Sequence, residues 1–169
     1  MTALAARFYL VETRLGWIGL VLSARGLRAT TLPRAGRDDA LREVAEMGAV
    51  SPASEAEAGD IARLVRDLAE GRPADPAGLI DWDGVTGFRR AVMEEALRIP
   101  PGETRSYGWL AERVSRPRAA RAVGRVMATN PLPIVVPCHR VIGSDGSLRG
   151  YGAGLHVKAA LLRLEGRGR

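Results

Sequence analysis

Strand-like clusters of β-branched, aromatic and leucine residues fill the first part of the chain, and helical spacing takes over after them. Arg7 to Thr13, Trp17 to Ser23 and Leu27 to Leu32 are such clusters, punctuated at Leu15-Gly16 and Arg25-Gly26, and they predict a β-meander. Arg37 to Met47 places Ala40, Leu41, Val44 and Met47 on one stripe and predicts a helix. Ser54-Glu55-Ala56-Glu57 has the form of a capping box, and Ile61, Leu64, Val65 and Leu68 follow at helical spacing. Gly71 and Pro73 stop that second helix.

Gly71 to Gly87 breaks the pattern with prolines, glycines and aspartates, and is expected to link two domains, 1–84 and 85–169. Phe88, Ala91, Val92, Ala96 and Ile99 then form a helical stripe, closed by Pro100-Pro101-Gly102. Ser106 is placed to cap a short helix through Trp109, Leu110 and Val114. A turn at Ser115-Arg116-Pro117 leads into a helix from Arg118 to Thr129, with Pro117 near its start. Two helices joined so closely are a helix-turn-helix candidate. The apolar run Leu132 to Val136 reads as a strand, and Gly143-Ser144-Asp145-Gly146 as a hairpin-like turn that would form a wing. A last helix, Val157 to Leu164, is expected to bury Val157, Ala160, Leu161 and Leu164, with Gly166 at the C′ position. The fold class expected is a mixed α/β (α+β) one.

Composition narrows the choice only a little. With 169 residues, 46% hydrophobic and 26% charged, the chain is one ordinary globular domain or two small ones. Its net charge of +6 is carried almost entirely by arginine, since Lys158 is the sole lysine. Arginine's planar fork suits phosphate, but a genome-wide composition bias gives the same count, so charge alone leaves both readings open. One cysteine cannot form an internal disulfide, and with two histidines no zinc spacing arises, so no metal and no cofactor are expected. No stretch approaches the roughly 20 apolar residues of a membrane span, and no leader pattern opens the chain; a cytoplasmic protein is expected.

The chemistry gathers around that single thiol. A lone cysteine is usually a small buried hydrophobe, but Cys138 is followed by His139 and Arg140, a base and a positive charge that favour a thiolate. Just upstream, Arg118-Ala119-Ala120-Arg121-Ala122-Val123-Gly124-Arg125 mixes small residues with arginines. It is either a solvated basic face or a helix able to press its backbone into a DNA groove, with arginines on phosphates or between bases. Tyr107, Asn130 and Glu165 carry no signal by themselves.

Residues 104–166 resemble the catalytic domain of the O6-alkylguanine-DNA alkyltransferases, the methylated-DNA–protein-cysteine methyltransferases. The stretches that carry the likeness are Ser106-Tyr107, Ala119 to Gly124, Asn130 to Val141 with its Pro-Cys-His-Arg-Val block, and Gly150-Tyr151-Gly152 on to Gly166. The N-terminal part is similar only in outline to the family's ribonuclease H-like domain, and the zinc ligands of some eukaryotic members have no counterpart here. The resemblance implies an N-terminal ribonuclease H-like domain and a C-terminal winged helix-turn-helix-like domain. It makes Cys138 the alkyl acceptor, His139 its water-mediated base and Glu165 the residue that orients the histidine. It implies that Asn130 links the recognition helix to the cysteine segment, and that Tyr107 crowds the lesion's phosphate and supplies a proton to the departing guanine. It makes Arg121 a finger entering the duplex, flanked by Arg118, Arg125 and Arg140 and by the small residues Ala120, Ala122 and Gly124. Met127, Pro133, Tyr151 and Gly152 would line the base pocket.

The implied activity is DNA repair by single-turnover alkyl transfer from O6-alkylguanine to cysteine, on a base flipped out of double-stranded DNA. The implied partner is duplex DNA, bound by a monomer through the minor groove with little sequence preference. Cooperativity on DNA, action on O4-alkylthymine and the range of alkyl groups stay open. Three rivals are weighed: the family's lesion sensors replace the cysteine, a winged-helix regulator has no use for a thiol-histidine-glutamate set, and a thiol hydrolase has no use for the arginine helix.

Overall fold

The computed structural model describes residues 6–166, which divide into two compact units with the break between Asp81 and Trp82. In the first unit, strands β1 (Arg7–Thr13), β2 (Gly16–Ser23) and β3 (Gly26–Thr30) form the expected meander, with β2 antiparallel to both neighbours. A short β4 (Ser51–Pro52) pairs in parallel with β1, giving the order β3-β2-β1-β4. Ile18, Leu20, Val21 and Leu22 are all buried, so the central strand β2 is apolar on both sides of the pleat. Helix α1 (Arg37–Glu46) lies on β2, where Val44 and Ala49 pack with Val21. Gly19 is required there, because a Cβ would stand 2.4 Å from Val44 Cγ1. Helix α2 (Glu55–Ala69) opens with the capping box read from Ser54 and Glu57, and buries Ile61, Leu64, Val65 and Leu68 as spaced.

The stretch read as a linker is not a free tether over its whole length. Leu27 N donates to Leu79 O at 2.7 Å and Asp81 N to Leu27 O at 2.9 Å, which draws residues 79–81 onto the β3 edge. The buried Asp81 carboxylate accepts from Ser23 Oγ at 2.6 Å.

The second unit is mostly helical. Helix α3 (Gly87–Leu97) buries Val92, Met93, Glu95 and Ala96, while Ala91, expected in the stripe, is exposed. Glu95 is buried because Arg98 (2.9 Å) and Arg113 (2.6 Å) both donate to it, a charge cluster that a hydrophobic count reads as surface. A two-residue strand β5 (Arg105–Ser106) precedes α4 (Tyr107–Arg113), capped as expected by Ser106 Oγ accepting from Trp109 N at 3.0 Å. Helix α5 (Ala120–Ala128) starts two residues later than expected: Ala119 N donates to Arg116 O, so Pro117 lies in the preceding turn. Val123, Val126 and Met127 form its buried face.

After α5 the apolar run 132–136 is not a strand. Val136 N donates to Leu132 O at 2.8 Å, and Ile134 sits at φ +74°, which a β-branched residue adopts only under tertiary constraint. Cys138–Arg140 form one turn of 3-10 helix, followed by β6 (Val141–Ile142), which pairs in parallel with β5. The 143–146 turn closes, with Gly143 N on Ser147 O at 2.9 Å, but no strand returns from it among the described residues. The expected wing is a turn held by the Asp145 carboxylate on Ser147, not a hairpin. Helix α6 (Leu155–Leu164) ends with Gly166 at φ +89°, the C′ glycine. No described helix is long and apolar enough to cross a membrane.

Candidate active site and nucleic-acid interface

The 3-10 turn settles where the thiol and imidazole point. In a strand, neighbouring side chains diverge; in this turn Cys138, His139 and Arg140 are all withdrawn from solvent, at 6%, 1% and 5% exposure. Asn130 clamps the approach: its Nδ2 donates to Val136 O and its Oδ1 accepts from Leu132 N, both at 2.9 Å. That clamp holds the Ile134 bend and ties the end of α5 to the thiol-bearing turn.

Burial pushes the Cys138 thiol above its usual pKa. The Asn130 amide, the Lys158 ammonium and Tyr151 act in the opposite direction but do not overcome it. The sequence does not mark Lys158 as a site residue, since a helix lysine reads as surface. It is fully buried, with Nζ donating to Val141 O at 2.7 Å and Arg149 O at 3.1 Å. The positive charge facing the thiol is therefore Lys158, not Arg140.

His139 Nε2 lies 2.8 Å from Glu165 Oε1, and both side chains are buried. Burial favours the protonated acid form of Glu165, yet the hydrogen bonds and charges of His139 and Arg140 outweigh it and hold the group at about 2. An ionised carboxylate only accepts, so Nε2 carries the proton and Nδ1 offers a lone pair. Nδ1 is buried without a hydrogen-bond partner in the described structure. Burial also lowers the His139 pKa against the pull of Glu165, so the imidazole rests neutral. In the sequence Gly102 reads only as a helix stop. Its N–H reaches Glu165 Oε2 at 3.3 Å, and at φ +80° a Cβ there would meet Glu165 O at 2.9 Å.

Arg140 is a correction to the DNA-binding set. Its guanidinium is buried, with Nη2 2.8 Å from Glu165 Oε1 and Nη1 2.5 Å from Ile99 O, so it does not face a phosphate. Arg118, Arg121 and Arg125 are exposed and form no ion pair among the described residues, whereas Arg113 is spent on Glu95 and Trp109. Ala120, Ala122 and Gly124 are half-buried on α5, and a Cβ at Gly124 would come to 4.0 Å from the Tyr107 ring. Tyr107 opens α4, half-buried, and burial together with Cys138 raises its pKa. Met127 and Pro133 are buried, while Gly152 is exposed in the turn before α6. The Tyr151 hydroxyl is buried beside the thiol, and burial and the nearby thiol push its pKa far up.

Residues 87–167 match the family model for the DNA-binding domain of 6-O-methylguanine DNA methyltransferase. The methylated-DNA–protein-cysteine methyltransferase of Mycobacterium leprae (strain TN) is 58% identical over 80 residues, 47% of this chain and 48% of that protein. Thus the aligned stretch spans about half the length of the curated relative. Structural likeness extends further. Mycobacterium tuberculosis OGT, solved in complex with DNA, superposes with a TM-score of 0.76 and 32% identity over 94% of this chain and 92% of that one. The chain belongs to the O6-methylguanine-DNA methyltransferase family. The family's enzyme from the hyperthermophilic archaeon Pyrococcus kodakaraensis KOD1 is also similar, with a TM-score of 0.70 and 28% identity over 95% of this chain and 98% of that one. Family membership covers both units, and the mixed α+β architecture is shared across them.

Proposed function

We propose that this chain repairs DNA by direct reversal, taking the alkyl group of O6-alkylguanine onto Cys138 in one irreversible step. The observation that carries the reading is the buried Cys138 turn with a neutral His139 held by ionised Glu165, in the same unit as a helix that presents exposed arginines with no ion pair among the described residues. The thiol proton passes to His139 Nδ1 through a bridging water, and the thiolate attacks the alkyl carbon. The S–C bond forms as the C–O6 bond breaks, the electron pair leaves on guanine, and Tyr107 supplies the proton that neutralises it. A thioether is stable, and no group in the site removes it, so each molecule acts once.

An alkyl group on O6 lies inside the base stack, so the base must leave the duplex, at a cost of a few kcal/mol. Arg121 fills the gap from the minor groove, while Arg118 and Arg125 bind phosphates without reading sequence. Met127, Pro133, Tyr151 and Gly152 enclose the extruded base. The protein acts as a monomer.

The test is an intact mass spectrum and peptide map after incubation with a duplex bearing O6-methylguanine. One methyl group per protein, on Cys138, is expected, and Cys138→Ser should bind the duplex without transfer. Turnover well beyond one lesion per protein, or repaired DNA with an unmodified Cys138, overturns the reading.

A further inference from the structure

Glu165 receives more donors than one imidazole requires. Arg140 sets Nε on both carboxylate oxygens, 3.2 Å from Oε1 and 3.1 Å from Oε2, and adds Nη2 on Oε1 at 2.8 Å. Its remaining corner, Nη1, is fixed on Ile99 O at 2.5 Å. The guanidinium side chain is 6% exposed and the carboxylate 2%, so this pair is not a surface ornament. Breaking a buried pair leaves an uncompensated charge, and among the described residues one other group on that carboxylate can carry a compensating charge: the His139 ring.

We propose that Arg140 is the positioning residue of the Cys138 site, holding Glu165 in the orientation that gives His139 Nε2 its acceptor and sharing the carboxylate charge so that Nδ1 stays unprotonated. The inference rests on the reading that His139 takes the thiol proton. With Arg140 present, Glu165 and Arg140 cancel and the imidazole has no need to be charged. Without Arg140, the buried carboxylate draws a proton onto His139, and an Nδ1 that already carries hydrogen cannot accept one from sulfur. The charged groups that act on His139 are Glu165, which favours the imidazolium, and Arg140 and Lys158, which oppose it. Lysine is no substitute for the arginine in geometry. Its single point charge cannot span two carboxylate oxygens and a carbonyl at once.

Imidazole NMR titration of the full chain reads this directly, because there are two histidines and the buried His139 is told apart from the exposed His156. In the wild type, His139 is expected to titrate below the ordinary 6.5. In Arg140→Met the midpoint should rise by about 1 pH unit or more, and the acid limb of the rate with free O6-benzylguanine should move with it. In Arg140→Lys the midpoint should stay low while the rate falls roughly 3- to 10-fold, through loss of the fork geometry. An unmoved His139 midpoint in folded Arg140→Met, a raised midpoint in Arg140→Lys, or full rate in Arg140→Lys overturns the proposal. Should Arg140→Met fail to fold, Arg140→Lys decides by the same two readouts. If the wild type fails to react with the free base, the repair reading falls while the titration still judges Arg140.

Discussion

Replacing Lys158 by methionine removes a buried positive charge while keeping nearly the same bulk. Two effects on stability oppose each other. The ammonium's hydrogen bonds to Val141 O and Arg149 O disappear, and bonds from a charged donor contribute about 1.5–3 kcal/mol each. Against this, the folded protein no longer holds an ammonium out of water, a penalty of several kcal/mol. The difference should lie within about 2 kcal/mol, and the thermal midpoint should move by no more than about 8 °C. Reactivity has no such cancellation. Lys158 is one of the groups holding the Cys138 thiol down against burial. An opposite charge close by is typically worth about 1–3 pKa units, each a tenfold change in thiolate below the pKa. The single-turnover rate with free O6-benzylguanine should therefore fall roughly 10- to 100-fold at neutral pH, with its rising limb displaced by about 1–2 pH units to the alkaline side. At high pH the loss should be recovered, since the thiolate then forms without help. The free base is the right substrate because it removes DNA binding from the measurement. A folded Lys158→Met whose profile coincides with the wild type refutes the reasoning, and leaves Lys158 as a loop anchor only.

Arg121→Ala removes an exposed side chain with no described ion pair, so a thermal melt should show a change within about 0.5 kcal/mol; single-turnover repair of a duplex lesion should fall roughly a hundredfold while free O6-benzylguanine reacts as before. Equal losses on the two substrates would make Arg121 part of the fold or the site. Acid should destabilise the second unit in a window set by Glu165, whose pKa falls from the ordinary 4.5 to about 2 on folding. Ionised Glu165 contributes at most about 3 kcal/mol, present above pH 4.5 and lost as pH falls toward 2. Glu165→Gln should flatten that part of a stability-against-pH curve, and an unchanged curve would count against the ionised carboxylate.

What the sequence made legible had local causes. The Ser54 and Ser106 caps and the Gly166 terminus depend on a few neighbouring residues, and each forms as read. The family likeness singles out Cys138, His139 and Glu165 together, and the histidine and glutamate meet at 2.8 Å. Lys158, Gly102 and the true place of Arg140 were hidden for one shared reason. Each acts through a partner far along the chain: Gly102 and Arg140 on Glu165, Lys158 beside the thiol. A lysine on a helix is solvated by default, and only tertiary packing can reverse that. The 143–146 turn closes without a returning strand among the described residues because the partner of β6 is β5, upstream of α4. The late start of α5 reflects Pro117 serving the turn instead of the first helical position.

The parallel pairing of β5 with β6, Arg105 on Val141 and Ser106 on Ile142, also governs when the surroundings of the thiol assemble. Parallel strands cannot be joined by a tight turn, and this crossover encloses α4, α5 and the cysteine-bearing turn. Its loop must close before any of the non-local contacts are gained. Glu165 and Lys158 come later still in the chain, on α6 and its C-cap, the last of the described helices. Until then Cys138 has neither the buried His139–Glu165 pair nor the Lys158 cation around it. An incomplete or unfolded chain therefore carries Cys138 as an exposed thiol outside that setting, and a count of thiols measures polypeptides whereas the raised Cys138 pKa marks folded molecules.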